Sequence, residues 1–179
     1  MSSGQAHSTL TLLEQTGYLA GRRLRPNRLD DLLDMWTAAY TRGLGQKLAV
    51  ASYISPHGIH DFRDEVLNGP PAGGGIDVFA LSGEAVPNLG LKRPRSVTVY
   101  TRDWTPRQAI RHRWRAAGTT AEADIHVRRQ FWTPSTDNGL GAVYDPIAIW
   151  PVVYADLMTN GDERLAAVAT EWRNRHRTA

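Results

Sequence analysis

The chain has 179 residues, 41% apolar and 22% charged, with a net charge of +3 at neutral pH. That allows one sizeable core, or a small module beside a medium one. With no cysteine, disulfides, thiol catalysis and cysteine-based zinc sites are excluded. No run approaches the ~18 apolar residues of a membrane span, and the polar start does not read as a secretory signal, so the expected setting is cytoplasmic with no membrane partner.

In chain order, Ser2 with Gln5 three residues later matches a capping box and predicts a helix. Ala6, Leu10 and Leu13 recur at helical spacing as its buried stripe, and Gly17 is its stop. Gly4, Ser8, Thr11 and Gln15 lie opposite, with Gln5 and His7 on the flanks. This small polar face lacks the Glu/Lys pairs of a merely solvated helix. The stretch "YLAGRRLR" then reads as two short strands around Gly21, a β-wing with arginines near its tip. Recognition helices set small polar side chains against base edges, while wing arginines hold phosphates. Ser3, Gln5, His7, Ser8 and Thr11 are therefore the candidate base-facing residues, and Arg22 and Arg23 the candidate phosphate contacts.

Next, "RLDDLLDMWTAAY" is an amphipathic helix with Leu29, Leu32, Leu33, Trp36 and Tyr40 on one side. Gly43 and Gly45 are expected to close it, which places a domain boundary near residue 42: residues 1–42 form one unit and 43–179 the other. The second unit alternates. "KLAVASYI" reads as a strand, "HGIHDFRDEVLNG" as a short helix, "PPAGGG" as a loop and "IDVFAL" as a buried strand. "SGEAVPNLG" reads as a helical turn capped by Ser82, with Glu84 favouring its dipole. "RSVTVYT" and "ADIHVRRQFW" are strands, "TPRQAIRHRWRAAG" a helix or a basic strand, and residues 133–142 a loop. Two helices, "WPVVYADLMTNG" and "DERLAAVATEWRNRH", end the chain. The expected class is α+β or mixed α/β: a partial winged-helix module, then a mixed-sheet domain ending in two helices.

Charge is uneven. Lys92 to Arg129 holds ten Lys/Arg against Asp103, Glu122 and Asp124, with Trp104, Trp114 and Trp132 interleaved or adjacent. Such a mixture suits single-stranded nucleic acid, an acidic protein partner, or an ordinary basic sheet face over core tryptophans. A metal-dependent nuclease would draw on the separated carboxylates Asp77, Glu84, Asp103 and Asp156, but no downstream lysine completes a triad. His57 and His60 lack the His-Glu-x-x-His spacing, so no metal site is expected. The glycines of "AGGGIDVFALSGEAVPNLG" fit neither a phosphate loop nor a dinucleotide fingerprint, and "LSGEA" lacks the Gly-x-Ser-x-Gly of a nucleophile elbow. No cofactor is expected.

"SSGQAHSTLTLLEQTGYL", "NRLDDLLDMWTAAY", "ALSGEAVP" and "WPVVYADLMTNGDERLAAVATEWR" together resemble the AbiEi family of type IV toxin–antitoxin antitoxins. The most specific part is "PVVYADLMTNGDER", which resembles the family's Tyr-Ala-Asp-Leu…Gly-Asp-x-Arg signature. The resemblance implies a non-enzymatic regulator. Its winged helix-turn-helix would repress its own operon by binding operator DNA, and its C-terminal domain would serve antitoxicity. The implied toxin is nucleotidyltransferase-like, and that enzyme's Gly-Ser loop is not found here. A complete winged module has two more helices before the recognition helix, so the resemblance implies either a start upstream of Met1 or a winged helix shortened at its N-terminus. Within the signature, Tyr154 and Leu157 are expected to pack inward, Asp156 to meet a hydrogen-bond donor or arginine, and Asp162 to cap the last helix. The alternatives are an interaction module using 92–129 and, less favoured, a nuclease acting at Asp77 or Asp156.

Overall fold

The structure, a computed structural model, describes residues 3–69, 78–133, 145–159 and 161–177. Helix α1 (Ser3–Gln15) leads into a two-strand ribbon, β1 (Leu19–Ala20) and β2 (Arg23–Leu24). A 3-10 turn at Pro26–Arg28 opens α2 (Leu29–Ala39), which buries Leu33 and Thr37. The helical rod does not stop at the two glycines. It widens into a π turn, Tyr40–Leu44, and continues as α3 (Gly45–Leu48). Gly45 is needed for this: a Cβ there would sit 3.0 Å from Tyr40 Cε1 and 3.1 Å from its carbonyl oxygen. The expected boundary near residue 42 falls inside this turn. The rod then passes directly into β3 (Ala49–Ile54).

The remaining elements are α4 (His60–Asn68), β4 (Ala80–Ser82), β5 (Val97–Thr101), α5 (Pro106–Arg111), β6 (Arg115–Ala116), β7 (Ile125–Arg129), α6 (Trp150–Thr159) and α7 (Glu163–Arg177). The basic stretch after Thr105 is both of the things its sequence allowed. A Thr105/Gln108 capping box and Pro106 at the first position start α5, and a turn through Arg113 (φ 57) delivers β6. Of "IDVFAL", Ala80 and Leu81 are strand while Val78 and Phe79 are irregular; Ile76 and Asp77 lie outside the described residues, as do the "PPAGGG" loop and most of 133–142.

One five-stranded mixed sheet, ordered β4-β5-β7-β3-β6, forms the centre; β5 and β7 run parallel and the other pairs antiparallel. Residues 146–148 cover the outer edge of β4, where the Leu81 amide donates to Pro146 O and the Ala148 amide to Leu81 O, both at 2.8 Å. The pleat sorts side chains onto two faces. Leu81, Val97, Val99, Ile125, Val127 and Tyr53 share the first, by register. Phe62 from α4, Phe79 and Trp114 close over it; Phe62 meets Phe79 and Trp114 edge-on at 5.4 and 4.7 Å, and Trp114 also packs on Tyr53 at 5.8 Å. Ser82, Thr98, Tyr100, His126 and Arg128 share the second face, which receives α6. Every residue of β5 is buried because both faces are covered.

The C-terminal pair follows its sequence closely. Tyr154 and Leu157 are buried on α6, and Leu165, Ala169 and Trp172 on α7. Asp162 Oδ1 accepts from the Arg164 amide at 2.8 Å, capping α7. Phe62→Ala empties the aromatic junction between α4 and the sheet, and urea unfolding should show a loss of about 3–5 kcal/mol.

Candidate nucleic-acid interface and its support

Helix α1 ends in a Schellman turn. The Tyr18 amide donates to Leu13 O (2.8 Å) and the Gly17 amide to Glu14 O (3.0 Å), with Gly17 at φ +77. The chain reverses again at Gly21 (φ 54) and Arg22 (φ 62), a two-residue turn with both central residues left-handed, as a tight hairpin requires. Leu19 pairs with Leu24 and Ala20 with Arg23. Glu14 ties the tip to the helix: its Oε1 accepts from the Arg22 amide at 3.2 Å. The Arg22 and Arg23 side chains are exposed, with no ion-pair partner among the described residues.

Five other candidates sit on α1. Gln5, His7 and Ser8 are exposed and Thr11 is half-buried; the side chain of Ser3, and all of Ser2, lie outside the described residues. At about 100° per residue, His7, Thr11 and Ser8 fall on one side of the helix and Gln5 on the opposite flank from His7. Ser8 Oγ donates back to Gly4 O at 3.0 Å, leaving its lone pairs outward. The stripe of Ala6, Leu10 and Leu13 is not buried as its spacing predicts. Leu10 is 38% exposed and no α1 residue with a described side chain is buried, since the ribbon packs near the helix's end and leaves this stripe uncovered.

Within the sheet domain the C-terminal signature builds a buried polar tie. Asp156 Oδ2 accepts from Ser82 Oγ at 2.6 Å and Tyr100 Oη at 2.9 Å. Its Oδ1 accepts from Tyr40 Oη at 3.0 Å and from Arg128 Nη1, which also reaches Tyr40 Oη at 2.8 Å. The two phenols touch each other. Burial first, and the Asp156 charge second, push the Tyr100 phenol up and the Tyr40 phenol up to about 12. Burial disfavours the Arg128 charge, but Asp156 and the two tyrosines outweigh it and hold the guanidinium above its usual range. His126 is pushed down, by burial and then by Arg128. The Asp156 carboxyl is 2% exposed and fully engaged, so it is not placed to serve as a base or metal ligand.

Ser82 therefore does not cap the turn after β4; its hydroxyl goes to Asp156 instead. Glu84 does more than favour a dipole. It is buried, accepting from Arg164 Nη2 at 3.0 Å and the Arg95 amide at 3.2 Å. Trp104 and Trp114 stack on each other (6.3 Å, 13° apart), and Trp132 lies edge-on to Tyr100 at 5.0 Å. These rings pack against protein and do not form an open platform for bases. Asp77 lies outside the described residues, and among those described no three His, Asp or Glu converge as metal ligands. Tyr40, Ser82, Tyr100 and Arg128 were not singled out in the sequence as partners of Asp156. The available signal was an acidic residue inside the otherwise apolar "VVYADLM", which demands buried donors.

A family model described as transcriptional regulator, AbiEi antitoxin, type IV toxin–antitoxin system, matches residues 24–176. The chain belongs to this family. Comparisons with curated proteins and with solved structures found no match. The matched stretch contains the whole Asp156 tie and begins at the second ribbon strand, so α1, Arg22 and Arg23 precede it. Among the described residues, no helix is long and apolar enough to cross a membrane.

Two measurements test the tie. Asp156→Ala strands Arg128, and chemical denaturation should show a loss of about 3–5 kcal/mol, whereas Asp156→Leu with Arg128→Met should recover most of it. Because the neutral Tyr40 phenol is favoured in the folded state, the stability it contributes is complete below pH ~10 and is lost as pH rises through about 12. Tyr40→Phe should flatten that alkaline loss in denaturation curves taken from pH 9 to 12 (roughly the span between unfolded and folded values).

Proposed function

We propose that this chain is a non-enzymatic antitoxin that represses its own operon by binding operator DNA through α1 and the β1–β2 ribbon. Family membership supports the regulatory role and its place in a toxin–antitoxin pair. The observation that carries the DNA reading is the exposed Arg22–Arg23 tip, held by Glu14 beside the polar side of α1. The arginines take phosphates on the flank of the groove, and His7, Ser8 and Thr11 meet base edges, with Gln5 on the far flank and Ser3 as further candidate contacts. The same reading places the protein in the cytoplasm, with a nucleotidyltransferase-like toxin as its genetic partner.

Binding to double-stranded DNA from its own operator region should weaken steeply with salt. Arg22→Ala/Arg23→Ala should lower the slope of log K against log salt by roughly 2 (about 0.9 for each phosphate released) and weaken all sequences alike. His7→Ala/Ser8→Ala should instead relax sequence preference at fixed slope. Fluorescence anisotropy across a salt series reads both. Absent binding, or binding indifferent to salt, rejects the proposal.

A further inference from the structure

The last helix reaches back to the segment that carries the ribbon. Arg173 on α7 and Asp30 on α2 are 143 residues apart in sequence, yet Arg173 Nε donates to Asp30 Oδ1 at 3.1 Å. Arg173 Nη2 meets the same oxygen at 2.8 Å, and Nη1 donates to Asp34 Oδ1 at 2.7 Å. Arg177 Nη1 adds a contact to Asp30 Oδ2 at 2.6 Å. Residues four apart share a helix face, so one planar guanidinium spans two carboxylates a turn apart. The Arg173 side chain is 17% exposed, and it also lies over the Tyr154 ring and donates to its hydroxyl at 3.3 Å. This is a part-buried network, stronger than a lone surface pair. Hydrogen bonding from Arg173 holds the Asp30 carboxyl below the usual carboxylate range.

The contacts continue toward the candidate DNA-facing elements. Asp31, beside Asp30, accepts from Arg28 Nε at 3.0 Å. The Arg28 guanidinium lies 4.7 Å above the Tyr18 ring. Tyr18 closes the end of α1 with its amide, and its carbonyl accepts from the Arg25 amide at 3.0 Å as the ribbon returns. A chain of contacts thus runs from α7 through the start of α2 to the joint between α1 and the ribbon.

We infer that Arg173, assisted by Arg177, is a positioning residue for DNA binding: it locks the start of α2 and so sets the angle at which α1 and the ribbon meet the duplex. The inference rests on the DNA-binding reading above. Base contacts need a fixed register on the backbone, and a loosened joint spreads the reading elements over many orientations. Arg173 and Arg177 act without touching DNA themselves.

The test uses the full chain, its own operator-region duplex and amide hydrogen exchange. For Arg173→Ala/Arg177→Ala, affinity should fall at least tenfold while the salt slope stays at the wild-type value, because no phosphate contact is removed. Exchange at the Tyr18, Arg22 and Arg25 amides should speed at least tenfold, with the Val99 and Val127 amides of the central strands unchanged. Asp30→Asn, which leaves Arg173 its Asp34 partner, should give the same localised pattern with at least a threefold effect, and it serves if the double variant folds poorly. Unchanged affinity overturns the inference. So does a slope reduced by about 1 per arginine, which would make these residues phosphate contacts, or faster exchange at Val99 and Val127, which would mark a general loss of stability. If the wild-type chain binds no DNA, the proposed function fails and exchange alone decides: faster exchange confined to residues 18–25 upholds the lock, and wild-type rates there overturn it.

Discussion

A carboxylate in the middle of an apolar helix has to be met by donors, and four separate segments of this protein converge to meet one. Asp156 draws Ser82 from the end of β4, Tyr100 from β5, Arg128 from β7 and Tyr40 from the π turn. Each of these groups would be costly to bury alone. Together they fix α6 in one register on the second face of the sheet and pin the helical rod that arrives from the ribbon. The π turn belongs to the same constraint: a wider turn at Tyr40 carries its hydroxyl to the carboxylate, and Gly45 leaves room for the ring.

The sheet divides labour between its faces. The first is sealed by rings and branched aliphatic residues, a packing problem solved by Phe62, Phe79, Trp114 and Tyr53. The second is polar in its centre and is held by the ion pair and hydroxyls around Asp156. This explains why Trp104 and Trp114 stand among so many arginines between residues 92 and 129. The tryptophans turn inward, Arg128 serves the buried tie, and arginines such as Arg107, Arg113 and Arg115 stay on the surface. An interleaved sequence is therefore the trace of two opposed faces, and no mixed platform is formed.

Family membership and the candidate interface occupy different parts of the chain. The matched residues 24–176 cover the sheet, the tie and both final helices, whereas α1 and the arginine tip come before them. Helix α7 bridges the two. Its outer residues hold the first turn of α2, and the first turn of α2 holds the joint behind the ribbon. The regulator's body and its candidate reading head are thereby linked by charge pairs and one cation–π contact, while hydrophobic packing does most of its work within the body.

Local chemistry made much of this legible beforehand. Helical spacing with Gly17 as a stop, two short strands around Gly21, the strand runs at Val97–Thr101 and Ile125–Arg129, and Asp162 before the last helix each specify an element through contacts within a few residues. The acidic residue inside "VVYADLM" likewise announced a buried partner without saying which. The sequence by itself determined the elements and the family resemblance. Tertiary structure alone decided that Ser82 abandons its turn, that Gly43 and Gly45 do not end a helix, that Leu10 lies open, and that Tyr40, Tyr100 and Arg128 share one carboxylate. Those outcomes depend on groups as far as 116 residues apart competing for the same donors, acceptors and space, and a local pattern carries no record of that competition.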